Sequence, residues 1–177
     1  DNALRVQRAE ALSVTDDLTQ LYNWRYMQQV LRRETKRALR GNRPLSLLFV
    51  DLDGFKSIND SHGHLFGSRA LVESASVIRA SARETDIVAR FGGDEFALVL
   101  PDTASDGAVS VGERIRDRLA AHRFLEGDGL SIALTASRRS VSRGRPSNFA
   151  GGRCGAINCH SLSVRSLAYR NPSRRYW

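Results

Sequence analysis

The sequence predicts an α+β sandwich, a sheet containing antiparallel strands with helices on one or both faces. Three observations carry that prediction. Apolar residues recur at helical spacing in three stretches, they form short unbroken runs in four others, and two of those runs flank a Gly-Gly-acidic link that reads as a hairpin. The 177 residues suit one domain with a short appendage. An apolar share of 41% and a charged share of 26% are those of a folded chain and exclude global disorder. No apolar run approaches the roughly 20 residues of a membrane helix, and no basic start precedes an apolar core. The reading is a soluble, non-secreted chain.

The elements follow in order. Leu4, Ala11 and Leu12 lie at roughly helical spacing, so residues 1–14 read as a linker helix from an upstream region. Thr15-Asp16-Asp17 can cap a new turn. From Trp24 to Leu39 the residues Tyr26, Met27, Val30, Leu31, Ala38 and Leu39 recur with a 3.6-type period, and Gly41 marks the stop. Leu45 to Val50 is an apolar run with aromatic and β-branched members. It ends in Asp51-Leu52-Asp53-Gly54, a central strand delivering carboxylates at its carboxyl end. Leu65 to about Ala82 is helical again. Ile87–Phe91 and Phe96–Leu100 surround Gly92-Gly93-Asp94-Glu95, where glycine supplies the positive φ of a tight turn. Ala108 to Ala121 reads as a third helix and Leu130 to Ala136 as a further strand.

After Ser137 the texture changes. Residues 138–177 hold nine Arg, no Lys and no acidic residue, and show neither helical nor strand periodicity, so they read as poorly ordered. They account for the whole net charge of +8, because 1–137 keeps 18 of the 27 basic residues against all 19 acidic ones. The basicity therefore says nothing about the main domain. Cys154 and Cys159, the two cysteines of the chain, also lie in this tail and make no disulfide framework.

The chemistry concentrates in acidic residues. Asp51 and Asp53 end a strand, and Asp94 and Glu95 sit in a hairpin turn; if the hairpin pairs beside that strand, the carboxylates converge at one sheet edge. Hard oxygen ligands of this kind suit Mg²⁺, which takes one or two carboxylates plus substrate phosphates. Gly92 and Gly93 would let backbone lie close to a bound nucleotide. An acidic hairpin with no further role has the same spacing.

Arg90-Phe91-Gly92-Gly93-Asp94-Glu95-Phe96 resembles the signature hairpin of the GGDEF-domain diguanylate cyclases. Asp51 through Asp60, with Gly63-His64 and Gly67, is similar to the family's second motif, and Asp17-Leu18-Thr19 with Asn23 and Arg25 to its amino-terminal one. The resemblance covers about residues 15–137. It implies a polymerase-palm or nucleotide-cyclase-like fold and condensation of two GTP to cyclic di-GMP and pyrophosphate, one GTP on each protomer of a homodimer. It also implies Mg²⁺ or Mn²⁺ held by Asp51, the carbonyl of Leu52 and Asp94, with Glu95 nearby and Asp94 as the metal-linked proton acceptor. Asn59 is similar to the guanine-reading Asn, His64 and Ser68 fall at the nucleotide pocket, and the Asp53–Lys56 loop would cradle phosphates. Phe55 belongs to that loop and Lys56 with it, although Phe55 and Phe96 read as core by their own chemistry and Lys56 as a surface charge. His62 reads as a solvated loop residue. Arg83 and Asp86 resemble the family's product-inhibition site, where cyclic di-GMP would bind; a surface ion pair has the same spacing.

The chain departs from the family at three places. Gln20 and Trp24 replace a Gly and an Arg of the amino-terminal motif. Ser68 stands where the family has an Asp that accepts from guanine, and a lost charge-assisted pair is worth about 1.5–3 kcal/mol, which implies weaker GTP binding. The tail lacks the family's Gly-Val strand and its last helix, with the Lys and Arg that bind triphosphate. Synonymous codons for Arg138-Arg139-Ser140, read one base later, can encode Val-Gly-Val, and those for 148–156 Thr-Leu-Arg-Ala-Ala-Asp-Ala-Ala-Leu. A frameshift is the reading of this tail, and the gene's nucleotide sequence decides it. Two rivals stand beside the enzyme: a non-catalytic module that binds GTP or cyclic di-GMP as a receptor, and an Arg-rich nucleic-acid arm, which steep salt dependence would reveal. The enzyme reading expects a cytoplasmic domain, on its own or as part of a membrane-anchored sensor, behind an upstream sensory domain, with no specific nucleic-acid partner.

Overall fold

The computed structural model describes residues 13–143 and 158–160. Within them the elements are β1 (Tyr22–Asn23), α1 (Trp24–Gly41), β2 (Leu45–Asp53), α2 (Phe55–His62), α3 (His64–Ser81), β3 (Ile87–Gly92), β4 (Glu95–Pro101), α4 (Ser105–Ala121), a 3₁₀ turn (Glu126–Asp128), β5 (Thr135–Arg143) and β6 (Asn158–His160). One six-stranded sheet takes the order β1-β3-β4-β2-β5-β6. Only β1 and β3 pair in parallel; every other pairing is antiparallel.

Helices cover both faces. On one face α1 lays Met27 and Ala38 over Leu45, Ala89, Ala97 and Val99. On the other, α2, α3 and α4 enclose Leu48, Val50, Leu52, Val88, Phe96, Leu98 and Leu100 with Phe55, Ile58, Leu71, Ile78, Ile115 and Leu119. Strand side chains alternate between faces, and both faces here are dry, so β4 reads as an unbroken apolar run, Phe-Ala-Leu-Val-Leu, buried throughout. The α1 face takes the small members of that run, and the alanines give the helix room to approach.

Local chemistry sets the boundaries of α1. The side chain of Asn23 accepts from the N–H of Tyr26 at 2.9 Å, and Asn42 ends the helix in the left-handed region at φ 48°. The Asn23 amide also donates to the carbonyls of Ser13 and Thr15, which fastens the incoming chain. Trp24 meets Phe91 edge-on with centroids 4.5 Å apart, and Phe91 meets Phe49 at 5.7 Å. The replacement at position 24 is thus absorbed by aromatic packing.

The structure corrects four expectations of secondary structure. Phe55, Lys56 and His62, read as loop residues, lie in helix α2, residues 55–62; the segment has only Phe55 and Ile58 as buried apolar anchors, one turn apart. The hairpin link shortens from four residues to the two-residue turn Gly93-Asp94, because Gly92 and Glu95 pair. The strand expected at Leu130–Ala136 instead begins at Thr135 and runs to Arg143, along the whole length of β2. Residues 138–143, expected to be disordered, are therefore strand; Arg138 reaches under α4 to the carbonyl of Val109 at 2.7 Å and to Glu113 at 3.1 Å. The linker expected at 1–14, apart from the non-helical Ser13 and Val14, and the remainder of the tail, apart from β6, lie outside the described residues.

Gln20 occupies the left-handed region at φ 58°, where a Cβ crowds the backbone and glycine does not. Gln20→Gly is expected to stabilise the domain by about 0.5–1 kcal/mol, the relief of strain being partly offset by the freer unfolded chain. Urea unfolding midpoints at constant m-value measure it.

Candidate active site

The site lies where β2 ends beside the start of β4. Antiparallel register sets Asp51 opposite Glu95, and the N–H of Leu52 donates to the carbonyl of Asp94 at 3.3 Å. Asp94, Glu95 and Asp51 therefore gather at one sheet edge. Leu52, between the two strand-end aspartates, turns its side chain into the core and is 3% exposed.

The electrostatics of this edge are unbalanced. Burial together with the negative charges of Asp94, Glu95 and Asp53 pushes the Asp51 carboxyl up to about 6, against an ordinary 3.8. Among the described ion pairs none involves these four carboxylates. Among the described hydrogen bonds, Asp53 is the one of the four with neutral side-chain donors, taking the hydroxyls of Thr135, at 3.0 Å, and of Ser137. It joins the end of β2 to β5. Among the described residues no three His, Cys, Asp or Glu side chains could hold a metal ion by themselves. The arrangement fits a hard cation that takes one or two carboxylates and completes its shell with water and phosphate oxygens.

The glycine turn is open. Gly93 has φ 53°, and added side chains at Gly92 or Gly93 would meet nothing within 4 Å, so a ligand can reach the backbone. Arg90 holds this turn from behind: its Nε and Nη2 donate to the carbonyl of Gly93 at 3.1 and 2.8 Å. Its Nη1 reaches both carboxylate oxygens of Asp16 at 3.3 Å. Burial opposes ionisation of Asp16, but hydrogen bonds from the hydroxyl and N–H of Thr19 and the charge of Arg90 prevail and hold its carboxyl below 3.8. Asp16 lies outside the motifs read from the sequence, and Arg90 opens the signature hairpin without a role assigned to it there. The amino-terminal motif, Asp17-Leu18-Thr19 with Asn23 and Arg25, begins one residue later, and the capping signal at Thr15-Asp16-Asp17 is the trace that points to Asp16.

The other expected residues are placed as follows. Gly54, at φ 74°, starts α2 with no side-chain cap, so the first N–H groups of that helix are free of side-chain competition for an anion. Lys56 is exposed on its first turn. Phe55 is 8% exposed and packs in the core, so it is corrected from a substrate contact to a structural anchor at the start of α2. Asn59 lies on α2 against Gly67 of α3, with Ser68 next and half-buried. His64 is exposed at the start of α3; His62 ends α2 with its ring toward Phe66. Arg83 and Asp86 do not pair through their side chains. Arg83 is exposed, whereas Asp86 is 3% exposed and accepts the backbone N–H of Arg83 at 2.8 Å.

Residues 13–141, which include this paired strand end and the Gly-Gly-Asp-Glu hairpin, match a family model described as diguanylate cyclase, GGDEF domain. The chain belongs to the GGDEF-domain family. Response regulator PleD of Caulobacter vibrioides is 42% identical over 118 residues, which is 67% of this chain and 26% of PleD. The chain thus spans about a quarter of that relative's length. The crystal structure of diguanylate cyclase SiaD of Pseudomonas aeruginosa with its activator SiaC superposes at a TM-score of 0.70. Identity is 33%, over 84% of this chain and 58% of that one. The GGDEF domain of DgcB from Caulobacter crescentus, in complex with c-di-GMP, gives a TM-score of 0.71 at 30% identity, covering 76% of this chain and 80% of that one. The α+β, nucleotide-cyclase-like fold expected from the motifs is thereby established. The GGDEF match also extends past Ser137 into β5, in agreement with the strand found there.

Because Asp51 binds its proton more tightly in the folded state, that contribution to stability is full below about pH 4 and lost as the pH rises through about 6. A divalent cation held at this edge would make up the loss. Mg²⁺ is expected to raise the melting temperature by about 2–4 °C at pH 7.5 and much less at pH 5. Asp51→Asn should remove the response. An equal rise in Asp51→Asn, followed by scanning calorimetry, would place the cation elsewhere.

Proposed function

We propose that this chain is the cyclase module of a signalling protein, joining two GTP molecules into cyclic di-GMP with release of pyrophosphate. The observation that carries the reading is the unbalanced cluster of Asp51, Asp94 and Glu95 beside an open glycine turn. Asp51, the Leu52 carbonyl and Asp94 would hold Mg²⁺ or Mn²⁺, with Glu95 adjoining. When bound, such cations neutralise charge on the phosphates and ease ionisation of the 3′-hydroxyl.

The chain's own groups do the rest. Asp94 takes the proton of the attacking 3′-hydroxyl. The N-terminal N–H groups of α2 and the bare backbone of Gly92 and Gly93 receive the phosphates, with Lys56 at the rim. Asn59 reads the guanine edge, with Ser68 and His64 alongside. One domain holds one GTP, so bond formation requires a partner protomer presenting its own GTP to the first. An upstream sensory domain in the cytoplasm or membrane would control that encounter. Cyclic di-GMP would bind at Arg83, whose guanidinium is exposed; Asp86 must leave its own turn to join it.

The altered carboxyl-terminal stretch enters the same proposal. On β5, Arg138 and Ser140 pair with Val50 and Leu48, whose side chains face the core under α2, α3 and α4. Synonymous codons read one base later can spell Val at both positions, the residue type that this face takes elsewhere in the sheet. A receptor reading stands second, favoured by Ser68 in place of an acid.

Incubation with GTP and Mg²⁺, with chromatographic detection of cyclic di-GMP, tests the enzyme. Product is expected, with Asp94→Ala and Glu95→Ala each lowering the rate by at least about a hundredfold. Absence of product together with cyclic di-GMP binding that Arg83→Ala abolishes would establish the receptor instead. Separately, Ser68→Asp is expected to tighten GTP binding by about tenfold, the worth of one charge-assisted hydrogen bond. Titration calorimetry that finds no gain would remove Ser68 from the base site.

A further inference from the structure

Helices α2 and α3 meet at a point where one of them has no side chain. Gly67 is buried in the first turns of α3. A Cβ built there would stand 2.9 Å from Cγ of Asn59 and 3.4 Å from its Nδ2, and closer still to its Oδ1. The carboxamide of Asn59 thus occupies the space that any other residue at 67 would fill. The backbone around it is pinned: the carbonyl of Asn59 accepts the N–H of Gly63 at 2.9 Å, and the carbonyl of Gly63 accepts that of Gly67 at 3.2 Å. Gly63 itself has φ 86°, which leaves this link little freedom to adapt with any other residue. With the two helices tied through Gly63, the group that yields to an added methyl is the carboxamide, which turns about its own χ angles.

We propose that Gly67 is a positioning residue for base recognition, its missing side chain being the seat that holds the Asn59 carboxamide against α3. The inference rests on the reading of Asn59 as the guanine contact and adds what fixes that contact in place. A glycine inside a helix costs stability relative to alanine, and here the cost maintains the placement of a ligand-facing amide. Ser68, the next residue of α3, then stands at a set distance from that amide, so one helix turn positions two of the polar groups assigned to the base.

The test is a double-mutant cycle in the whole chain, read by calorimetric titration with α,β-methylene-GTP in Mg²⁺ and by steady-state kinetics. Gly67→Ala is expected to weaken binding about tenfold and to raise KM more than it lowers kcat, without lowering the melting temperature. In an Asn59→Ala background the same change should leave affinity unaltered and raise the melting temperature, since the methyl then meets no carboxamide. Equal losses of affinity in both backgrounds, or none in Gly67→Ala, would overturn the proposal. If Asn59→Ala alone leaves affinity untouched, the base reading fails and the proposal with it. The side-chain amide resonances of Asn59 tell the failures apart: displaced by Gly67→Ala, they show the seat without the base contact, and unmoved, they show that the seat itself is wrong.

Discussion

Like charges held together at the end of a sheet are the constraint on which this molecule depends. Asp51 and Glu95 are opposite one another in the β2–β4 register, and the turn adds Asp94. Repulsion between such carboxylates near a surface amounts to about 1–4 kcal/mol per close pair. The same two strands bury Leu48, Val50, Leu52, Phe96, Leu98 and Leu100, each at most 3% exposed. At about 1.5–3 kcal/mol per side chain that burial outweighs the repulsion. A register slip to separate the acids would turn every one of those side chains to the opposite face. The core therefore enforces the cluster, and the cluster in turn is a place where a cation is at an advantage.

Two further contacts keep the edge in shape. Arg90 spans from the carbonyl of Gly93 to Asp16, so the turn that precedes α1 and the glycine turn are tied by one guanidinium. Asn23 brings the carbonyls of Ser13 and Thr15 onto the cap of α1. The chain entering the domain is thus connected through Asp16 and Arg90 to the backbone expected to approach phosphates. On the far side, Asp53 takes hydroxyls from Thr135 and Ser137, which fixes β5 to the end of β2. Each of these polar groups is partnered, and together they restrain the surroundings of Asp51, Asp94 and Glu95.

Legibility followed the strength of the local pattern. Helices α1, α3 and α4 and strands β2 to β4 could be read because their apolar periods are long or unbroken. Helix α2 could not: two anchors one turn apart, among Lys, Ser, Asn and Asp, carry no period. It is helical because Phe55 and Ile58 find a core already built by the sheet. Strand β5 misled in the opposite direction. Leu130 and Ile132 resemble strand but serve a bend in which Ile132 bridges Phe124, whereas Arg138 to Arg143 carry no strand signal and pair because β2 offers a free edge.

The sequence by itself determined the family, the acidic constellation and the side of the sheet on which it falls, because motif residues at set spacing need only a strand end and a tight turn to converge. Tertiary structure decided what spacing cannot express. It turned Phe55 inward, directed Asp86 to its own backbone, joined Asp16 to Arg90 across the chain and seated Asn59 on Gly67. Those outcomes depend on which surfaces meet once helices pack on both faces of the sheet, and contacts between residues distant in the chain leave no period for a sequence to show.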